Sequence, residues 1–218
     1  MSLLTEIVIA GDVDRWRAIG LNVDDDGRTA VGGIGLRFVP SGVDEAPGMR
    51  ALGFLTVTGA SIDGIPVHEA EPPDPWEPQD PSRPQQPSRP RHPKHRSGAH
   101  LVDHVVVMTP DLDRTSAAIT SALGIERRRT RDAGRGVTQG FFRAGEVILE
   151  VVHSPHVPDG DAALWGLVFV VDDLDAVCEL LGPDLVGLPK AAVQPGRFIA
   201  SVREPAAGLG VPLAFMSA

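Results

Sequence analysis

The chain has 218 residues, of which 42% are apolar, and a net charge of −9 from 29 acidic and 20 basic side chains. That length supports one large or two small cores, and the negative balance excludes a general nucleic-acid or anionic-membrane surface, because phosphate binding needs clustered cations. Apolar runs far shorter than the roughly 20 residues of a membrane helix, a start without the basic flank of a secretory signal, and one cysteine point to a cytoplasmic protein without an internal disulfide or thiolate metal cluster. That cysteine, Cys178, stands among Ala176, Val177 and Leu180, where it reads as a small buried hydrophobe. Lysine is confined to Lys94 and Lys190 and tyrosine is absent, a mark of G+C-rich bacterial genomes that also removes tyrosine as a catalytic acid.

From the N-terminus, Thr5 to Ala10 has strand character and runs into Asp12, Val13 and Asp14, which open a helix closed by Gly20. Strands are expected at Leu21 to Val23, Arg28 to Val31 and Ile34 to Val39, with Asp24 to Gly27 as a hairpin turn. A further unit starts at Met49 to Thr58. It is truncated, because Ala60 to Glu69 holds only Ile62, Ile65 and Val67, so the N-terminal part, residues 1–70, is expected to hold degenerate units that lean on the rest of the chain for burial.

Residues 71–98 form a linker with proline at 72, 75, 78, 81, 84, 87, 90 and 93. A polyproline II helix has three residues per turn, so these rings would share one face of an extended rod. Its first half is acidic and its second half basic, and each step satisfies the PxxP pattern read by aromatic grooves, so a spacer and an interaction scaffold are both open.

The C-terminal part, residues 99–218, reads as strand, helix and three strands, twice over. The first copy has Leu101 to Met108, a helix from Asp111 to Leu123 stopped by Gly124, then strands near Glu126 to Thr130, Val137 to Arg143 and Glu146 to Val152. The second has Trp165 to Val171, a helix from Asp173 to Leu181 stopped by Gly182, then strands near Ala192, Phe198 to Arg203 and Val211 to Met216. The fold class is therefore α+β, built of repeated βαβββ units. Counting back seven residues from the first aspartate of each helix gives Thr5, His104 and Gly166, so a metal-ligating residue type stands there in one copy alone.

Paired units of this length, with His104 to Val107 followed by Asp111, Leu112 and Asp113 and later by Gly145 to Glu150, resemble the vicinal oxygen chelate superfamily of glyoxalase I, bleomycin resistance proteins and extradiol dioxygenases. The resemblance implies cupped, mixed, eight-stranded half-barrels around a small-molecule ligand. It also implies a divalent metal (Zn, Ni, Fe or Mn) held by His104 and by Glu150, 46 positions later, with Glu150 doubling as the catalytic base of a lyase, isomerase or epimerase. Alternation places Val102, His104 and Val106 on one strand face and Ile148, Glu150 and Val152 on another. A carboxylate flanked by Ile148 and Val152 needs a partner, which a cation or an arginine would supply.

The companion unit departs from that pattern, with Gly166 and with Pro212, Leu213 and Ala214 where a histidine and a glutamate would stand; the N-terminal unit has Thr5 and Arg37. A complete ligand set would need water, His153 or His156, or a homodimer that joins His104 and Glu150 of two chains. Without metal, His104 and Glu150 read as a buried hydrogen-bonded pair in a cup that binds a drug or metabolite. Asp111, Asp113, Asp173 and Asp175 read as helix caps rather than ligands. Arg197 is either a surface hairpin residue or a clasp for an anionic or carbonyl group. Trp165, Phe141 and Phe142 either line a pocket or pack in the core. No dinucleotide, P-loop or Ser/His/Asp signature is present.

Overall fold

The computed structural model describes residues 3–73, 94–204 and 206–218. The proline rod expected from the period of three lies, beyond Pro73, outside the described residues.

Three aspartates start the three helices. Asp12 accepts from the Asp14 amide ahead of α1 (Val13–Ala18), Asp111 from the Asp113 and Arg114 amides ahead of α2 (Leu112–Leu123), and Asp173 from the Ala176 amide ahead of α3 (Leu174–Leu185). Each satisfies amides that the helix leaves unpaired, which is why these carboxylates are structural. Gly124 ends α2 in the left-handed conformation that favours glycine, and Gly182, at φ 71, interrupts α3 ahead of Pro183.

Two mixed sheets flank these helices. The N-terminal sheet contains β1 (Leu4–Ala10), β2 (Arg28–Val31), β3 (Ile34–Val39), β4 (Gly48–Phe54), β5 (Ser61–Ile62) and β6 (Ile65–Glu69), in the order β2-β3-β1-β4-β6-β5. The C-terminal sheet contains β7 (Ala99–Thr109), β8 (Arg129–Gly134), β9 (Val137–Ala144), β10 (Val147–His153), β11 (Ala163–Val171), β12 (Lys190–Ala191), β13 (Phe198–Ser201) and β14 (Leu213–Ser217), in the order β12-β13-β14-β11-β7-β10-β9-β8. This eight-stranded sheet curls into a half-barrel, as α+β units of this kind were expected to do. In every unit the first strand lies parallel to the last: β1 to β3, β4 to β6, β7 to β10 and β11 to β14. First strands of paired units run antiparallel, β1 to β4 and β7 to β11. Removing the outermost strands β8 and β12 from the large sheet leaves the connectivity of the small one, so the N-terminal sheet is the same design with both edges trimmed.

The unit of β4, β5 and β6 contains no helix of its own, yet Leu52, Phe54, Ile62, Ile65 and Val67 are buried. The C-terminal helix α2 packs against β5. There the Thr58 amide donates to the Ala122 carbonyl at 3.0 Å and Arg114 pairs with Asp63 at 2.8 Å. One core cluster accordingly takes side chains from both sheets and all three helices, from Ile7 and Trp16 through Ile119 and Val177 to Phe169 and Phe215. The faces turned away from this core are the concave side of each sheet.

Segment 94–98 is pinned to the first unit: the Asn22 amide donates to His95 Nδ1 at 3.0 Å, which leaves His95 Nε2 to donate to the Ala30 carbonyl at 2.9 Å. Gly20 makes room for this segment, since a Cβ there would stand 2.8 Å from the Ser97 nitrogen and the backbone has φ +92.

Two local expectations are corrected. Leu21 to Val23 is not a strand, and the Asp24 to Gly27 turn simply leads into β2, whose hairpin with β3 is closed by Gly32 and Gly33. The strand expected near Glu126 begins at Arg129, because Arg127 is drawn onto Asp113 and Ser116 of α2. Among the described residues no helix is long and apolar enough to cross a membrane.

Candidate functional site in the C-terminal cup

Between β7 and β11 the register runs from Val168 opposite His104 to Phe169 opposite Val102, so Asp103 is an extra residue, a β-bulge. A bulge interrupts strict alternation and re-aims side chains. Val102, expected beside His104, therefore belongs to the core with Val105 and Val107. Asp103 instead joins His104, its Oδ2 lying 2.8 Å from Nδ1.

Register fixes what surrounds the pair. Ile148, His104, Val168 and Ala214 form one row across four strands, and Phe141, Glu150, Val106 and Gly166 form the next. Glu150 Oε2 comes within 3.4 Å of His104 Nε2, and Gln139 Nε2 donates to Glu150 Oε1 at 2.6 Å. From the companion unit, Arg197 Nη1 donates to Asp103 Oδ1 at 2.9 Å while its Nε donates to the Ser217 carbonyl at 2.7 Å. A continuous polar chain, Arg197, Asp103, His104, Glu150 and Gln139, thus crosses the floor of the cup and both units. Beside it Val168, Ala214 and Met216, with Ala192 and Ile199, form an apolar wall.

The charges are unequally settled. Burial alone would raise the carboxyl of Asp103, but hydrogen bonds with His104 and Arg197 outweigh it and hold the group below the ordinary aspartate range. Glu150 goes the other way: burial raises it, Asp103 adds to the rise, and the charges of His104 and Arg131 only partly oppose it. A carboxyl raised above its unfolded value of 4.5 contributes fully below that pH and loses its contribution as pH climbs through the folded value. The Glu150→Gln variant removes the titration, so its melting temperature relative to wild type is expected to rise between pH 4 and pH 8, measured by calorimetry. A constant difference would show that Glu150 is not the strained acid.

His104 and Glu150 are thus brought together, with Phe141 beside Glu150 in the same row. Arg197 is occupied by Asp103 and Ser217. Trp165 is the extra residue of a second bulge next to Gly166 and is 51% exposed. Phe142, in contrast, is a core residue. His153, three residues beyond Glu150 on the same strand, falls on the opposite face, where its Nδ1 is buried without a partner, so it cannot join Glu150 in the cup. Gly166 is closed to any larger residue, because a Cβ there would stand 2.9 Å from the Pro212 carbonyl oxygen. Asp103 and Gln139 were not foreseen; Gln139 was within reach, since the turn at Gly145 sets Ala144 opposite Val147 and hence Phe141 opposite Glu150.

The N-terminal sheet carries a different cluster at the same place. Val8 pairs with Arg37 as Val106 pairs with Glu150, so Glu6, and not Thr5, is the counterpart of His104. The count of seven fails because the connection from β1 to α1 is one residue shorter: core residue Ile9 lies three before Asp12, whereas Val107 lies four before Asp111. Glu6 takes Arg37 at 3.2 Å through both carboxylate oxygens and His68 at 2.9 Å. Burial alone would raise its carboxyl, but Arg37 and His68 together hold it below the usual range.

Residues 101–184 match the model of the Glyoxalase/Bleomycin resistance protein/Dioxygenase superfamily. The match lies wholly within the C-terminal sheet and its helices. Methylmalonyl-CoA epimerase from Mycobacterium tuberculosis is similar in structure at 17% identity and a TM-score of 0.47, covering 56% of this chain and 89% of its own. A Streptomyces coelicolor methylmalonyl-CoA epimerase variant in complex with 2-nitronate-propionyl-CoA is similar at 18% and 0.45, covering 55% and 95%. A hypothetical protein from Bacillus halodurans follows at 16% and 0.45, covering 54% and 94%. No curated protein sequence matches the chain.

Whether the superfamily residues suit a metal turns on the donor set. Asp103 holds Nδ1 of His104, which leaves Nε2 to face Glu150, the orientation that a carboxylate partner imposes on a ligating imidazole. Gln139 Oε1 is buried without a partner and adds an amide oxygen nearby. One imidazole, one carboxylate and one amide oxygen fit a borderline divalent cation with open positions. Among the described residues no group of three or more His, Cys, Asp and Glu side chains suited to a metal is present, so a closed structural site is not what these residues build.

Proposed function

We propose that the C-terminal cup holds a small organic molecule and that Glu150 and His104 act on it by proton transfer beside a carbonyl, chemistry of the lyase and isomerase or epimerase type. The observation that carries this is the 3.4 Å approach of His104 Nε2 to Glu150 Oε2 inside a buried polar chain, a distance at which a proton or a cation can be shared between them. Burial keeps Glu150 protonated to higher pH than an ordinary glutamate, nearer the range where a carboxyl is effective as acid and, once ionised, as base. His104, fixed by Asp103, accepts the proton that Glu150 gives up. Val168, Ala214 and Met216 hold the apolar part of the ligand.

A divalent cation held by His104 and Glu150, with Gln139 as third donor, would supply Lewis-acid polarisation of the substrate carbonyl. The remaining positions fall to water, to the substrate, or to a second copy of the chain in a homodimer. Metal analysis of protein purified without added metal is expected to give near-stoichiometric Zn, Ni, Fe or Mn, falling at least about tenfold in the His104→Ala variant. No metal under any loading condition removes the cation and leaves the proton-transfer pair. The cytoplasm is the setting we assign, and neither nucleic acid nor membrane is a partner in this reading.

The apolar wall favours a second reading, in which the cup sequesters a drug or metabolite without metal. Ligand binding that survives chelator and the His104→Ala change would select it.

A further inference from the structure

We propose that the ligand of this cup carries an oxyanion, a carboxylate or a phosphate, seated on Arg129 and Arg131; this rests on the reading that the cup holds a small molecule. Both arginines belong to β8, the edge strand on one side of the cup. Arg129 pairs with Phe141, which pairs with Glu150; Arg131 pairs with Gln139, which pairs with Val152. Directly opposed residues point to the same side of a sheet, so both guanidinium groups share the concave face with Glu150. Arg129 lies over the Phe141 ring, 5.9 Å from its centre.

Neither arginine has a carboxylate within ion-pair distance among the described residues, which is true also of Arg128, Arg135, Arg143 and Arg203, but Arg129 and Arg131 are the two that the register of β8 sets on the cup face. In a chain of net charge −9, two unpaired cations aligned on one lip need a reason. The acids of the cup do not supply it. Asp103 is taken by Arg197 and His104, Glu150 is engaged by Gln139 and His104, and Asp132, between the arginines and Gly134, turns to the other face and accepts from the Gly134 amide. The lip therefore presents net positive charge to an otherwise apolar and internally compensated trough, and a guanidinium fork binds carboxylate or phosphate in bidentate fashion.

The spacing limits the ligand. Arg129 and Arg131 are about 6.7 Å apart along the strand, and β8 lies two strand spacings, about 9.5 Å, from β10. An anion on this lip stands several bonds from the atom that meets Glu150, with Phe141 against the segment between.

The test is a titration of the full chain with inorganic phosphate and, separately, with succinate, followed by the side-chain Nε–H resonances of arginine in nuclear magnetic resonance spectra. Saturable shifts are expected at Arg129 and Arg131 while Arg128 and Arg135 stay in place. Affinity should fall about tenfold in Arg129→Gln or Arg131→Gln and persist in Glu150→Gln. The tighter of the two anions names the group. Saturation by neither anion, equal drift of every exposed arginine, or unchanged saturation in the arginine variants overturns the proposal. Loss of metal or of proton-transfer chemistry would leave this titration untouched, so the two readings fail separately.

Discussion

Truncating Phe169 to alanine is expected to lower stability by about 3–5 kcal/mol, and to do so for both sheets at once. The side chain is fully buried on β11, the strand of the large sheet that also contacts β4 of the small one. Its ring lies 6.3 Å from that of Phe215 at a tilt of 55°. Because one core cluster runs through both sheets, a cavity at this point weakens both of them. Urea unfolding followed by tryptophan fluorescence, to which the buried Trp16 of the N-terminal unit contributes, and by far-ultraviolet circular dichroism should give one transition shifted to lower denaturant. Two separated transitions would mean that the halves fold independently and that the shared core contributes little.

The second large effect is expected at the bulge. Asp103→Ala leaves Arg197 and His104 without their common carboxylate in a largely buried setting, at a cost of about 3 kcal/mol, the lower end for breaking a buried ion pair because Arg197 retains some exposure to water. Since the carboxyl of Asp103 is held below its ordinary value of 3.8, the stabilisation is fully present above that pH and is lost as pH falls through the lower folded value. The gap between wild type and variant, from denaturant unfolding at a series of acidic pH values, should therefore close as pH falls below 3.8. Metal affinity should fall about 10- to 100-fold in the same variant if Asp103 orients a ligating His104. Stability lost without any change in metal content would confine Asp103 to a structural role.

Much of the architecture was legible because its punctuation is chemical. An aspartate before each helix and a glycine after α2 are requirements of unpaired amides and of a left-handed turn, and they repeat wherever the unit repeats. The resemblance to the vicinal oxygen chelate superfamily implied that His104 and Glu150 share one cup, and they lie on the adjacent strands β7 and β10. What escaped was everything that depends on counting across an irregularity. The bulge at Asp103 moves Val102 into the core and Asp103 into the site, and nothing in a run of apolar residues announces one extra residue. The shorter connection after β1 shifts the equivalent of His104 from Thr5 to Glu6 for the same reason. The helix missing after β4 was visible as a truncation, but that α2 of the other half would cover the gap is a matter of tertiary packing that no local pattern encodes. For Arg197 the sequence left a clasp in the cup and a surface hairpin residue both open; that its guanidinium is spent on Asp103 follows from the same unseen bulge.

Sharing of α2 has a consequence for how the polypeptide can be cut. A chain whose N-terminal sheet borrows its cover from the C-terminal half behaves as a heterodimer whose two subunits happen to be tethered. Fragments 1–73 and 94–218, produced separately, would each expose a greasy flank and would be driven to find each other, with Asp63 and Arg114 as a keyed contact between them. Such a pair is a natural split reporter: the trough of His104 and Glu150 lies wholly in the second fragment, and the Asp63–Arg114 contact forms only when both pieces meet.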